Sequence, residues 1–184
     1  MDSTTLQWVL AALAFTLAGN IWLTLAVLRA SRRERIAPAA LVPGEPLPAV
    51  QARPLDGGPP FQPGAAGQAT VLLFLASRCP KCREKLAGVE QLMPLAREAG
   101  LALWLLSEEP PRRLRAFLPS DNLRAATARL ALRDYRRVNP LMSSPSYVFV
   151  NYQGQVEAAG LIGDEDWLAL VGQLNAEPAQ ERAA

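Results

Sequence analysis

Cys79 and Cys82, in the stretch SRCPKC (residues 77–82), are the two thiols of the chain and stand three positions apart. Two thiols at this spacing suit disulfide chemistry, half of a zinc site, or an inert structural pair. Histidine is absent from all 184 residues, which removes the commonest general base and the commonest metal ligand. Zinc takes four ligands, so it would need carboxylates or a second chain to complete the set. A copper relay would lack its usual histidine ligand. Inert cysteines suit a helix interior better than a helix start.

The surroundings favour redox chemistry. SRCPKC follows the apolar run VLLFLA directly, so Cys79 falls where a buried strand gives way to a helix. Pro80 then takes the first helical position, where its missing N–H costs nothing. Cys82 comes one turn on, within disulfide reach of Cys79. Unpaired N–H groups and the positive end of the helix dipole stabilise a thiolate at Cys79, and the cations Arg78 and Lys81 are expected to add to the effect. Cys79 is therefore the expected nucleophile. Cys82 can attack a mixed disulfide formed there, releasing the partner and closing a Cys79–Cys82 disulfide. A stabilised thiolate favours the reduced form, so the disulfide should be a stronger oxidant than one with neutral flanks.

The elements that must position this pair are legible around it. TVLLFLA (70–76) reads as a buried strand, residues 79–100 as a helix ended by Gly100 and bent at Pro94, and LALWLLS (101–107) as a second buried strand. Apolar strands joined by such a helix imply parallel neighbours covered on both faces. Pro110-Pro111 opens a further helical stretch, and Ser120-Asp121 caps another expected to run to about Val138. The eight arginines between 112 and 137 read as a solvated face, with an acidic partner surface as the sharper alternative. SYVFV (146–150), the turn NYQGQ and VEAAG (156–160) form an antiparallel hairpin, followed by an amphipathic helix over 164–176 with an acidic first turn. PAVQARPL (48–55) is expected to add a short edge strand before a turn at Asp56-Gly57-Gly58.

Ahead of this domain, Leu6–Leu28 carries no charge and is long enough to cross a hydrocarbon core of about 30 Å as a helix. It begins with Asp2 nearby, runs longer than a signal peptide core and lacks a small-x-small exit, so it reads as an uncleaved anchor. Trp8 and the arginines at the far end fit interfacial flanks. Between Ile36 and Gly67 lie eight of the chain's 16 prolines, whose first part suits a semi-rigid spacer. The expected organisation is an anchor over 1–30, a basic, proline-rich linker over 31–44, a folded domain over 45–177 and a flexible tail over 178–184. A net charge of +2, with no aromatic-interleaved basic stripe, gives no argument for nucleic acid.

With strand, CPKC, helix and SSPSYVFV (143–150) in view, residues 45–177 resemble the thioredoxin-like superfamily. The resemblance implies an α/β fold with a central mixed sheet flanked by helices, here preceded by one N-terminal transmembrane helix. It makes Cys79 the attacking and Cys82 the resolving cysteine, matches Pro145 to the cis-proline that faces the dithiol, and puts Ser144 against the bound partner. ERIAP (34–38), GEPLPAVQARPLDG (44–57) and AAGLIGDEDWLALV (158–171), together with the anchor, look like the MauD family, membrane-bound accessory proteins of methylamine utilisation. That likeness implies a client such as the methylamine dehydrogenase small subunit.

Two positions depart from thioredoxin. Leu73 stands where a buried aspartate would take the proton of Cys82, and Arg78 replaces the tryptophan before the first cysteine, leaving water or Glu84 to move the proton. Arg29, Arg32, Arg33 and Arg35 after the span place the domain in the cytoplasm by the positive-inside tendency. The resemblance places it outside, and a periplasmic domain of an inner-membrane protein is the expectation adopted. The expected function is formation, reduction or isomerisation of disulfides in exported, cysteine-bearing clients, with a redox partner recycling the dithiol and no metal or organic cofactor. The alternatives are a reductase for cytochrome c maturation and a tethered assembly factor whose dithiol is dispensable. A peroxidase would need a Pro-x-x-x-Thr-x-x-Cys pocket, which the sequence does not offer.

Overall fold

β2 (Thr70–Phe74) is buried at all five positions, and the molecule is organised around it. Side chains alternate along a strand, so an unbroken apolar run must be covered on both sides. Val71, Leu73 and Leu75 enter one core with Leu86, Val89 and Trp167, and Leu72 and Phe74 enter a second with Leu106, Tyr135 and Val138. Phe74 and Tyr135 meet edge to face, with ring centroids 5.5 Å apart.

The computed structural model describes residues 7, 8, 13, 15–25 and 41–181. The chain divides into two units, Met1–Ala39 and Ala40–Ala184. In the first, residues 15–25 are helical, and Thr16 and Thr24 turn their hydroxyls back onto the carbonyls of Leu13 and Asn20. Among the described residues no helix is long and apolar enough to cross a membrane. Much of the expected span Leu6–Leu28, and the whole basic flank Arg29–Arg35, lie outside the described residues.

In the second unit, β1 (Arg53–Pro54), β2, α1 (Pro80–Glu98), β3 (Ala102–Ser107), α2 (Pro111–Phe117), α3 (Asp121–Ala125), β4 (Thr127–Arg129), α4 (Leu132–Val138), β5 (Ser146–Val150), β6 (Val156–Leu161) and α5 (Glu165–Glu181) follow in order. The sheet order is β1-β4-β3-β2-β5-β6. β2, β3 and β4 run parallel, whereas β1, β5 and β6 add antiparallel. β2-α1-β3 is the expected crossover unit, and the β5-β6 hairpin turns through Asn151–Gln155.

Three expectations need correction. The helix expected from Ser120 to Val138 is broken by β4, which pairs with β3 on one side and β1 on the other. Thr127 and Ala128 are buried there, and Thr127 donates its hydroxyl to the Leu123 carbonyl at 2.6 Å, closing α3. Three residues are too few for an alternating pattern, and sheet pairing overrides the helical propensity of an Ala- and Arg-rich stretch. The edge strand is reduced to Arg53–Pro54, with Leu55 beyond it still donating its N–H to the Thr127 carbonyl at 2.8 Å. α5 continues to Glu181, past the end expected at Ala176.

The arginines between 112 and 137 are not simply a solvated face. Arg115, Arg124, Arg129 and Arg137 donate to the backbone carbonyls of Leu55, Leu118, Glu109 and Ala49. Charged donors of this reach secure loop carbonyls that no strand pairs.

Replacing Ala128, which is fully buried, with leucine tests the strand directly. Overpacking at β4 should lower unfolding stability by about 1–3 kcal/mol in urea titration. On an exposed, Arg-rich helix the same change would be near neutral.

Candidate active site

Cys79 is the N-cap of α1, with extended backbone (φ −92°, ψ 114°), and Pro80 follows as the first helical residue. An N-cap side chain normally offers an oxygen to an unpaired helix N–H. Here sulfur does so: Cys79 Sγ accepts the N–H of Cys82 at 3.3 Å. The Cys79 N–H donates to the Ala76 carbonyl at 3.1 Å, which closes the turn leading from β2 into the helix.

The two thiols have opposite surroundings. Cys79 is half-buried, Cys82 is fully buried among the side chains of the first core, and both are free. The sulfur of Cys82 accepts the N–H of Ala76 at 3.4 Å. Burial acts upward on the Cys79 thiol, but hydrogen bonds from Cys82, from the Lys81 backbone and from Ser144 outweigh it and hold the pKa below the ordinary thiol value. Burial pushes the Cys82 thiol up to about 11, with Cys79 nearby adding to the rise. A half-buried thiol whose pKa is lowered and a buried thiol whose pKa is raised, one turn apart, are the arrangement a two-step exchange requires.

The opposing wall comes from the segment before β5. The Ser144–Pro145 peptide is cis. The Ser144 carbonyl lies 3.8 Å from Cys79 Sγ, although 65 residues separate them in sequence. The loop that carries it is held by Asn139, a buried side chain. Its Nδ2 donates to the Ser143 carbonyl at 2.9 Å and to the Tyr135 hydroxyl at 3.1 Å, while its Oδ1 accepts the Ser143 N–H.

Cys79, Cys82, Ser144 and Pro145 therefore come together. Arg78, Pro80 and Lys81 have exposed side chains beside them. Lys81 lowers the Cys79 pKa through its backbone N–H, and neither cationic side chain is among the causes of the shift. Leu73 is fully buried, as its neighbours on β2 require, and Glu84 is exposed on α1. Neither places a carboxylate at the Cys82 sulfur.

Sequence reasoning missed Asn139 and Glu109. Glu109 accepts the N–H of Ser77 at 2.9 Å and also its hydroxyl hydrogen. A polar residue at the end of a helix or strand is ordinary in sequence, and only the loop it holds distinguishes it. Among the described residues no three His, Cys, Asp or Glu side chains form a group able to hold a metal ion.

No family model and no curated protein matches the chain. Solved structures do. The thioredoxin domain of a thiol-disulfide oxidoreductase from Bacteroides vulgatus superposes with a TM-score of 0.62 at 16% identity, covering 73% of this chain and 99% of that one. A thiol:disulfide interchange protein from a Bacteroides species gives 0.61 at 18% identity, over 73% and 91% of the two chains. A peroxiredoxin-like protein from Aquifex aeolicus gives 0.60 at 16% identity, over 76% and 90%. The chain has the thioredoxin-like fold, with the mixed sheet and flanking helices expected of it.

The opposite pKa directions make alkylation selective. The thiolate fraction falls as pH drops through the pKa, so iodoacetamide should modify Cys79 at a lower pH than an ordinary thiol, and faster than Cys82 at pH 7. Cys82 should stay unmodified until the pH approaches 11. Equal labelling of both at pH 7, read by peptide mass, would contradict the assignment.

Proposed function

We propose that this protein is a thiol–disulfide oxidoreductase acting on cysteine-bearing client proteins. The observation that carries the proposal is the sulfur cap: Cys79 Sγ accepts the N–H of Cys82 at the start of α1 while the Ser144 carbonyl faces it across the cis peptide.

The chemistry follows from the two environments. The Cys79 thiolate attacks one sulfur of a client disulfide, a mixed disulfide forms, and the other client sulfur leaves as a thiolate. Cys82 then loses its proton to water and attacks Cys79 Sγ, and the client's second sulfur departs. The client gains two electrons and Cys79–Cys82 becomes a disulfide. The reverse sequence places a disulfide in the client, and a second redox protein restores the starting state. The stabilised thiolate favours that reverse, oxidising direction.

A protein client fits the surface beside the site. Leu141 and Met142 are exposed just before the cis peptide, an apolar rim suited to an extended polypeptide. Ser144, next to the cis-proline, offers that polypeptide its backbone. The fold is shared with proteins described as thiol:disulfide interchange proteins, which favours exchange over the peroxide chemistry suggested by the peroxiredoxin-like neighbour.

The N-terminal segment tethers this domain to a membrane, with the redox site on the exported side. Its support is the uncharged stretch Leu6–Leu28, in which Phe15, Leu17, Trp22 and Leu23 are exposed apolar side chains, and the proline-rich spacer that follows. The resemblance to MauD proteins suggests an exported dehydrogenase subunit as one such client.

Cys82→Ser in the full chain removes the resolving thiol and should accumulate mixed disulfides with exported proteins, separable by diagonal electrophoresis. Cys79→Ser should capture none. Capture by neither variant would sink the exchange mechanism, and capture of cytoplasmic proteins alone would reverse the orientation.

A further inference from the structure

Glu109 lies just beyond β3, its side chain only 11% exposed, and the exchange chemistry does not use it directly. Its own backbone is fixed from two sides: its N–H donates to Ser107 Oγ at 3.1 Å, and its carbonyl accepts Arg129 Nε at 2.7 Å. Arg113 Nε stands 3.9 Å from the carboxylate. The two carboxylate oxygens then take the N–H and the hydroxyl hydrogen of Ser77, which precedes Cys79 by two residues.

The group held this way is the Ala76–Ser77 peptide. Its N–H meets Glu109, and its carbonyl accepts the Cys79 N–H at 3.1 Å. A peptide unit is planar, so fixing one end fixes the other. The N–H of Ala76, on the preceding peptide, donates to the Cys82 sulfur at 3.4 Å. This short backbone segment joins a buried carboxylate to both cysteines.

We propose that Glu109 is a positioning residue for the dithiol: its carboxylate fixes the Ala76–Ser77 peptide, and that peptide holds Cys79 where its sulfur can cap α1. The proposal rests on the exchange reading given above. Position and charge act in opposite directions here. A nearby negative charge disfavours the Cys79 thiolate, whereas correct placement of the sulfur at the helix start favours it.

Two substitutions separate these effects. Glu109→Ala and Glu109→Gln both remove the charge, but glutamine keeps an oxygen for the Ser77 N–H. In the full chain, the pH midpoint of Cys79 alkylation by iodoacetamide should be higher in Glu109→Ala than in Glu109→Gln by about half a unit or more. Exchange with a small aromatic disulfide at pH 7 should be about threefold slower in the alanine variant than in the glutamine one. Equal midpoints in the two variants would overturn the proposal and leave Glu109 acting by charge alone. Should the alanine variant fail to fold, Glu109→Asp decides: it keeps the charge but shortens the reach to the Ser77 N–H by one methylene, so an upward midpoint shift from wild type supports positioning and no shift refutes it. A wild-type chain that alkylates at Cys79 but exchanges with no disulfide would defeat the exchange reading, while the alkylation comparison would still decide the role of Glu109.

Discussion

The helix that carries Cys82 is capped by the sulfur of Cys79, and the remaining features of the site depend on that hydrogen bond. The N–H of Cys82 reaches Cys79 Sγ at 3.3 Å, so the atom that satisfies the helix start is also the atom proposed to attack. Its charge is favoured where the helix dipole is positive. The same turn of helix carries Cys82 into the core, where burial acts the other way. One backbone arrangement thus moves two identical functional groups in opposite directions, as the proposed division into an attacking and a resolving thiol requires.

That arrangement is supported from below and from both sides. β2 is covered on both faces and ends shortly before the cap, giving the loop a fixed origin. Glu109 restrains the loop on the Ser77 side, and Asn139 restrains the loop that carries Ser144. Both are polar side chains with little exposure that bind backbone groups of these loops, the means by which a fold makes irregular segments rigid. The arginines of α2, α3, β4 and α4 do related work further out, each donating to a carbonyl in a segment without strand partners. The result is a reactive thiol on a loop that is held at several points.

The parts of this arrangement that were legible in sequence are those encoded locally. An apolar run followed by Cys-Pro-x-Cys states a strand, a helix start and a thiol at its end within a dozen residues. The crossover, the hairpin and α5 were equally plain from periodicity. β4 was not, because three residues of Ala, Thr and Arg carry no pattern, and their strand character comes only from lying between β1 and β3. The two clamps were invisible for different reasons: Glu109 meets Ser77 through tertiary placement, across 32 residues, whereas Asn139 meets Tyr135 and Ser143 only four residues away, in a loop that no periodicity marks. The lowering of the Cys79 pKa comes from hydrogen bonds of Cys82, of the Lys81 backbone and of Ser144, while the side chains of Arg78 and Lys81 are exposed.

The central claim is that Cys79 and Cys82 form one reversible two-electron couple whose reduced form is stabilised by the helix cap. Equilibrating the protein in glutathione buffers of graded ratio at pH 7, then quenching and weighing it, tests this most directly. The account predicts a single transition between dithiol and intrachain disulfide, with a potential more oxidising than the roughly −270 mV of thioredoxin. A protein that stops at a glutathione adduct on Cys79, or whose couple lies well below that value, would contradict it.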